Sequence, residues 1–332
     1  MRILITGGAG FMGSNFIKYI LKKYPDWQVV NLDKLTYAGN LDNLREIENN
    51  ENYTFVKGDI ARAEDVAKAI GEGVDKIINY AAETHVDRSI LEPDAFIKTD
   101  ILGTYALLEA TKKHNVAQYI QISTDEVFGS IKEGAFNEES PFAPNSPYAA
   151  SKASADLLCR AYFKTYNLPV IVTHSCNFYG PNQYPEKIIP LFITNLLESK
   201  KVPVYGHGQQ VREWIFTEDH CRAIEFIMEK GEPGEVYNIG TGYEKQNIET
   251  TRFILQELGF SEEMIEYVKD RPGHDWRYSV NSQKLSGLGW QPQVSWEDGL
   301  RRTIKWYQEN GDWWQKIKSG EYLEYYKKQY GK

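Results

Sequence analysis

The chain has 332 residues, 42% of them hydrophobic and 25% charged, which suits a water-soluble protein with a large core and room for two lobes. Its formal net charge of −8 argues against a protein that acts as a whole on nucleic acid or on an anionic membrane surface, so an anionic ligand would need a local pocket of cations or backbone N–H groups. No apolar run approaches the roughly 20 residues that span a bilayer, and "MRILITGG" enters a strand directly with no leader pattern, so the expectation is a soluble, cytoplasmic chain.

In chain order, apolar runs at 2–6, 28–33, 53–59, 76–82, 118–124 and 169–175 read as strands, and helical periodicity fills 11–23, 63–70, 94–113 and 148–166 between them. Short apolar strands separated by helices predict a parallel sheet covered on both faces, a doubly wound α/β architecture of the Rossmann type. After about Thr173 the rhythm breaks. "NFYGPNQYPEKIIP" has the prolines, glycine and asparagines of a passage into a second, smaller lobe, and "VYNIGTG" (236–242) predicts one more strand. The expected division is a nucleotide-binding domain over 1–177 with a return segment at about 213–240, and a substrate lobe over about 178–212 and 241–332. The C-terminal "WYQENGDWWQKIKSGEYLEYYKKQYGK" reads as a helix packing a Trp/Tyr face on that lobe rather than as a membrane or nucleic-acid patch.

Between the first strand and the first helix lies "GGAGFMG", with Gly7, Gly10 and Gly13 at the spacing that allows a tight turn and brings helix N-terminal N–H groups to a pyrophosphate. Asp33 ends the second strand 20 residues beyond Gly13, where a carboxylate accepts ribose hydroxyls and repels a 2′-phosphate, which favours NAD over NADP. Asp59 at the third strand end could meet an adenine amino group, and the small Ala81 and Ala82 at the fourth leave room for a dinucleotide across the sheet edge.

Two features carry chemistry. In "QISTDEVFG" (121–129) a buried strand delivers Thr124 and then the adjacent acids Asp125 and Glu126, either a polar exit to solvent or a pair of proton-transfer groups. Tyr148 and Lys152, at i and i+4, share a helix face; a lysine cation beside a phenol favours phenolate, so Lys152 is expected to lower the tyrosine pKa. Cys159, Cys176 and Cys221 read as reduced buried thiols, and His85 and His274 lack metal-ligand partners in spacing, so no metal is expected.

The glycine turn with Thr124 and Tyr148-x-x-x-Lys152 resembles the extended short-chain dehydrogenase/reductase superfamily. Within it, "STDEVFG", "YAASKASAD", "NFYGPNQYPEKIIP", "VREWIFTEDH" and "DRPGHDWRY" resemble the dTDP-glucose 4,6-dehydratases, from the first residues to about Arg302. Two positions depart from that pattern: Phe128, where the family commonly has Tyr, and Phe178, where it commonly has Asn. The resemblance implies a hydro-lyase with tightly held NAD that makes a 4-keto-6-deoxy sugar nucleotide in deoxysugar (rhamnose-type) biosynthesis. It implies Tyr148 as base at the sugar C4 hydroxyl, Thr124 hydrogen-bonding there, Glu126 as base at C5 and Asp125 as acid at C6. It extends the cofactor contacts to Phe11, Met12, Lys34, Leu35, Thr36, Ile60, Thr99 and Phe178, and assigns the sugar nucleotide to Thr84, Asn177, Glu186, Lys187, Pro203, Tyr205, Arg212, Asn247, Arg271 and His274. A homodimer through the helices near 94–113 and 148–166 is also implied. A UDP-sugar 4-epimerase or UDP-sugar dehydratase shares the glycine turn and the Tyr/Lys pair, and a non-catalytic dinucleotide sensor would share the fold; the acid pair disfavours an epimerase and the retained tyrosine and lysine disfavour a sensor.

Overall fold

The computed structural model describes residues 1–270, 274–319, 322 and 326. The first part alternates β1 (Arg2–Thr6), α1 (Phe11–Lys23), β2 (Gln28–Asp33), β3 (Tyr53–Lys57), α2 (Ala63–Ile70) and β4 (Lys76–Asn79). There follow α3 (Val86–Leu91), α4 (Pro93–Phe96), a π-helical segment Ile97–Gly103, α5 (Thr104–Lys113), β5 (Gln118–Thr124), α6 (Pro147–Tyr166) and β6 (Val170–Ser175). The chain then runs through β7 (Asn177–Tyr179), α7 (Ile188–Leu197), β8 (Val202–Tyr205), β9 (Val211–Phe216) and α8 (Thr217–Lys230), and returns as β10 (Val236–Ile239).

Seven strands form one sheet in the order β3-β2-β1-β4-β5-β6-β10, every neighbouring pair parallel. This is the doubly wound Rossmann-type architecture expected, and the winding reverses between β1 and β4, where the crevice at the carboxyl edge receives ligands. Strand alternation builds both faces. Ile3 and Ile5 enter a core with Phe16, Ile17 and Ile20 of α1 and Ile224 and Ile227 of α8; Leu4 points the other way, to Val66 and Ile70 of α2, Leu107 and Leu108 of α5, and Cys159 of α6.

The expected ends of β3 and β4 and the start of the helix near 94 differ in ways that matter, while β5 ends where expected. β3 and β4 end at Lys57 and Asn79, so Asp59, Ala81 and Ala82 lie in loops just past the carboxyl edge. The helix expected over 94–113 starts earlier, at Val86, and breaks at Glu92, where Pro93 cannot continue the ladder but opens a new helix. β5 stops at Thr124, and Asp125–Phe128 is a turn of 3-10 helix whose first turn is capped by the Thr124 hydroxyl.

The rest of the chain adds β11 (Glu244–Gln246), α9 (Asn247–Leu258), β12 (Ile265–Val268), α10 (Gln283–Gly287), α11 (Trp296–Glu309) and α12 (Gly311–Ile317). β11, β9 and β7 form a three-stranded sheet, and β12 pairs with β8. Their core gathers α7, α9, α11 and α12, with Trp296, Trp313 and Trp314 buried in it.

Candidate active site

A cavity of about 310 Å³ opens at the β1/β4 crevice, within the range of ligand pockets. Gly7, at φ +66°, approaches the β4 loop so closely that a Cβ there would lie 2.6 Å from the Ala81 backbone. Gly13 packs the start of α1 onto the turn; a Cβ there would lie 2.4 Å from the Gly7 carbonyl. Gly10, Phe11, Met12 and Gly13 line the cavity at the N-terminus of α1, which has no side-chain cap and no acid in its first turn, so its amides and dipole suit an anion. Asp33 also lines the cavity and accepts the N–H groups of Ala9 (2.9 Å) and Leu35 (2.7 Å). Burial pushes its carboxyl up and those two amides oppose the rise. Lys34 bonds Asp59 at 2.6 Å, and both line the wall with Thr36, Ile60, Ala81, Ala82, Thr99 and Phe178. Leu35 does not bound the cavity: its side chain packs into the core, and its N–H is what serves the site. These donor and acceptor groups fit a dinucleotide.

Thr124, Asp125, Glu126, Tyr148 and Lys152 share one wall of the same cavity. Asp125 is buried, its Oδ1 accepts from the Thr124 hydroxyl at 3.3 Å, and its Oδ2 has no partner among the described residues. Burial, then the charges of Glu126 and Glu213, push its carboxyl well above the carboxylate range, against the pull of Arg212 and Thr124. A carboxyl shifted in this direction is biased toward its protonated form, the form the acid role requires. At Tyr148, burial and the charges of Glu126 and Asp100 push the phenol up and the Thr124 side chain opposes them, while the Lys152 ammonium donates to the Ile122 carbonyl at 2.6 Å.

A second pair of carboxyl groups, which the sequence reading missed, faces this wall. The π-helical segment brings Asp100 to the Ser151 hydroxyl (2.6 Å) and the Glu83 N–H (3.1 Å), one residue from Lys152. Burial raises Asp100 to about 6, with the Lys152 charge the main opposing influence. Burial and the charge of Asp100 raise Glu83 to about 7. Because the native state keeps a proton that the unfolded chain releases near pH ~4, the stability linked to Glu83 declines as pH rises from there to about 7. Glu83→Gln should therefore stabilise the cofactor-free protein by up to about 3 kcal/mol above pH 7 and hardly at all near pH ~4, as measured by urea denaturation.

The positions assigned to the sugar nucleotide fall into two groups. Thr84, Asn177, Glu186 and Lys187 line the cavity with Thr124. Within it, Glu186 accepts from Tyr37 (3.0 Å) and Arg88 (3.1 Å), and Lys187 donates to the Thr84 carbonyl at 2.7 Å. Pro203, Tyr205, Arg212, Asn247 and His274 do not bound it. Pro203 and Tyr205 lie on β8, with His274 6.0 Å from the Tyr205 ring and bonded to Asp270 at 2.6 Å. Asn247 starts α9 and donates its N–H to the Gln210 carbonyl, at 2.9 Å. Arg212 donates to the Asp275 carbonyl (3.0 Å), lies 4.4 Å over the Tyr278 ring and acts electrostatically on Asp125, so it links this group to the acid pair. Arg271 lies outside the described residues. Of the two departures, Phe128 is buried among Phe136, Phe142 and His174, and Phe178 lies on the cavity wall against His220 (4.5 Å).

A doubly wound sheet, a glycine turn at its crevice and a Tyr/Lys helix face on the same cavity define a dinucleotide-dependent enzyme of the extended short-chain dehydrogenase/reductase class. A family model described as GDP-mannose 4,6 dehydratase matches residues 4–303. A dTDP-glucose 4,6-dehydratase of Streptomyces niveus is 50% identical over 324 residues, 96% of this chain and 96% of that protein. Among solved structures, DesIV, a dTDP-glucose 4,6-dehydratase from Streptomyces venezuelae with NAD bound, superposes with a TM-score of 0.93 at 49% identity, covering 96% of this chain and 100% of that one. A UDP-glucose 4-epimerase of Thermotoga maritima superposes with a TM-score of 0.87 at 30% identity, over 93% of this chain and 99% of that one. The chain belongs to the dTDP-glucose 4,6-dehydratase family.

Proposed function

We propose that this chain is a hydro-lyase that converts dTDP-glucose to dTDP-4-keto-6-deoxyglucose with NAD as resident cofactor, in deoxysugar (rhamnose-type) biosynthesis. The observation that carries the proposal is the shared wall of Thr124, Asp125, Glu126, Tyr148 and Lys152, with the Asp125 carboxyl buried and pushed up by its burial and by Glu126. The near-full-length likeness to dTDP-glucose 4,6-dehydratases supports the same reading. An epimerase oxidises and re-reduces one carbon and has no use for an acid and a base at the next two.

Gly7, Gly10, Gly13 and Asp33, with the lining residues around them, hold the dinucleotide. When bound, its nicotinamide accepts a hydride from sugar C4 and returns it to C6. Tyr148 removes the proton of the C4 hydroxyl, which Thr124 orients, and Lys152 is held beside it by the Ile122 carbonyl. The 4-keto group acidifies C5–H. Glu126 takes that proton while Asp125 delivers its own to the departing C6 hydroxyl and water leaves; as the hydride arrives at C6, Glu126 returns its proton to C5, and the proton held by Tyr148 passes through solvent to restore Asp125. The sugar nucleotide lies between the domain of 1–177 with its return at about 213–240 and the lobe of about 178–212 and 241–332. Tyr205 and Pro203 flank the base, and Arg212 faces the phosphates. With substrate deuterated at C4, label is expected at C6 of the 4-keto product. Retention at C4 would exclude the dehydratase reading.

The working form is a cytoplasmic homodimer. Three buried, unbridged cysteines support a reducing compartment, and no helix of the described residues is long and apolar enough to cross a membrane. Ile97 (48% exposed), Leu102 (51%) and Leu157 (56%) leave apolar side chains in solvent on the helices expected to pair. Sedimentation at micromolar concentration should give a dimer, and Leu157→Glu should shift it to monomer; a monomeric parent would overturn the assignment.

A further inference from the structure

Asn43 lies in the 3-10 turn Leu41–Ile47 and is buried. Its Nδ2 donates to the Ala9 carbonyl at 2.8 Å; its Oδ1 accepts from Trp313 Nε1 at 2.9 Å and from Asn182 Nδ2 at 3.3 Å. Ala9 is the centre of the glycine turn. Its carbonyl also accepts the Asn40 N–H (2.9 Å), and its own N–H donates to Asp33 (2.9 Å). Three segments remote in sequence therefore meet on one amide: the turn at the start of α1, the loop carrying Asn182 at the cavity edge, and α12 of the C-terminal lobe. Neighbouring contacts reinforce the junction. Lys316 reaches Asp42 at 3.4 Å, Lys18 donates to Asn182 Oδ1 at 2.9 Å, and Tyr307 donates to the Gln183 carbonyl.

We propose that Asn43 is a positioning residue through which the docking of α12, by way of Trp313, sets the shape of the glycine turn and so the grip on NAD. The inference rests on the NAD reading above. A buried apolar residue would fill the same space without direction. An amide with three partners fixes the orientation of each, and two donors on its oxygen polarise the N–H that holds the Ala9 carbonyl. The peptide planes flanking Ala9 lead into the α1 amides that meet the pyrophosphate, so a carbonyl released from Asn43 loosens the turn where the cofactor is held. Asn43 touches no reacting atom.

The test uses Asn43→Leu, Trp313→Phe and their combination. The phenylalanine keeps an aromatic ring in the core while removing the N–H donor and part of the indole's volume. NAD release from purified protein is measured by chase with excess unlabelled NAD, KM for the sugar nucleotide by turnover, and hydrogen exchange across 7–13 in cofactor-free protein. Each single variant should release NAD roughly tenfold faster, with faster exchange at 7–13 and an unchanged KM for sugar nucleotide. The double variant should release NAD no faster than Asn43→Leu alone, as for residues acting in series. Parent-like release and exchange in Trp313→Phe, or multiplied effects in the double variant, would overturn the coupling. A parent that takes up no NAD would refute the functional reading, and the exchange data would then decide the coupling alone.

Discussion

Glu126→Gln is expected to stop the reaction half-way. Mixed with dTDP-glucose, the variant should develop the near-ultraviolet absorbance of reduced nicotinamide and hold it, while release of 4-keto-6-deoxy product falls by about 10²–10⁴. Glutamine keeps the size of the side chain at the cavity wall and its place in the 3-10 turn, so binding and C4 oxidation by Tyr148 and Thr124 persist. What is lost is an acceptor for the C5 proton. Exchange of C5–H with deuterated solvent should disappear in parallel. A variant that turns over normally, or that fails even to reduce the nicotinamide, would remove Glu126 from the C5 step.

Asp125→Asn should separate catalysis from stability in the opposite sense. Asp125 is 2% exposed and its carboxyl is pushed well up by burial and by Glu126 and Glu213, so the folded protein keeps a proton that the unfolded chain releases near pH ~4. Its contribution to stability therefore declines as pH rises past that point, and an asparagine carries no such decline. The variant should match the parent near pH ~4 in urea denaturation and exceed it increasingly toward neutral pH. Turnover should nevertheless drop by about 10²–10⁴, because an amide cannot hand a proton to the C6 hydroxyl. A residue with a merely structural part would lose both together.

What could be read from the sequence were features whose chemistry is local. Gly7, Gly10 and Gly13 announce a turn because their spacing is the turn, and Tyr148 and Lys152 meet because one helix carries both. The parallel sheet follows from short apolar runs alternating with helices, and β10 was recognisable from its glycine-ended run. Other features depend on neighbours that no local pattern predicts. Asp100 sits in what looks like an ordinary helix, and only the wider π turn delivers it to Ser151. Glu83 follows Ala82 directly, an acid one step past a strand end, which is a signal the small alanines obscured. Asn43 and Trp313 are 270 residues apart, and only the finished fold brings them together. The same distance effect hides the hydrogen bond of Lys152 to the Ile122 carbonyl, on a strand 30 residues away.

The single turn of 3-10 helix after β5 has a consequence for how such chemistry can be acquired. In a continuing strand, successive side chains diverge by about 180° and leave on opposite faces of the sheet. With about three residues per turn, successive side chains diverge by only about 120°, so Asp125 can sink into the protein while its neighbour Glu126 stays half-buried and both still border the cavity. Main-chain geometry thereby gives two adjacent and chemically similar acids unlike surroundings, one dry with its carboxyl pushed up, the other open to the cavity. Rotating the chain at one strand end is enough to set two neighbouring acids in unlike surroundings on one cavity.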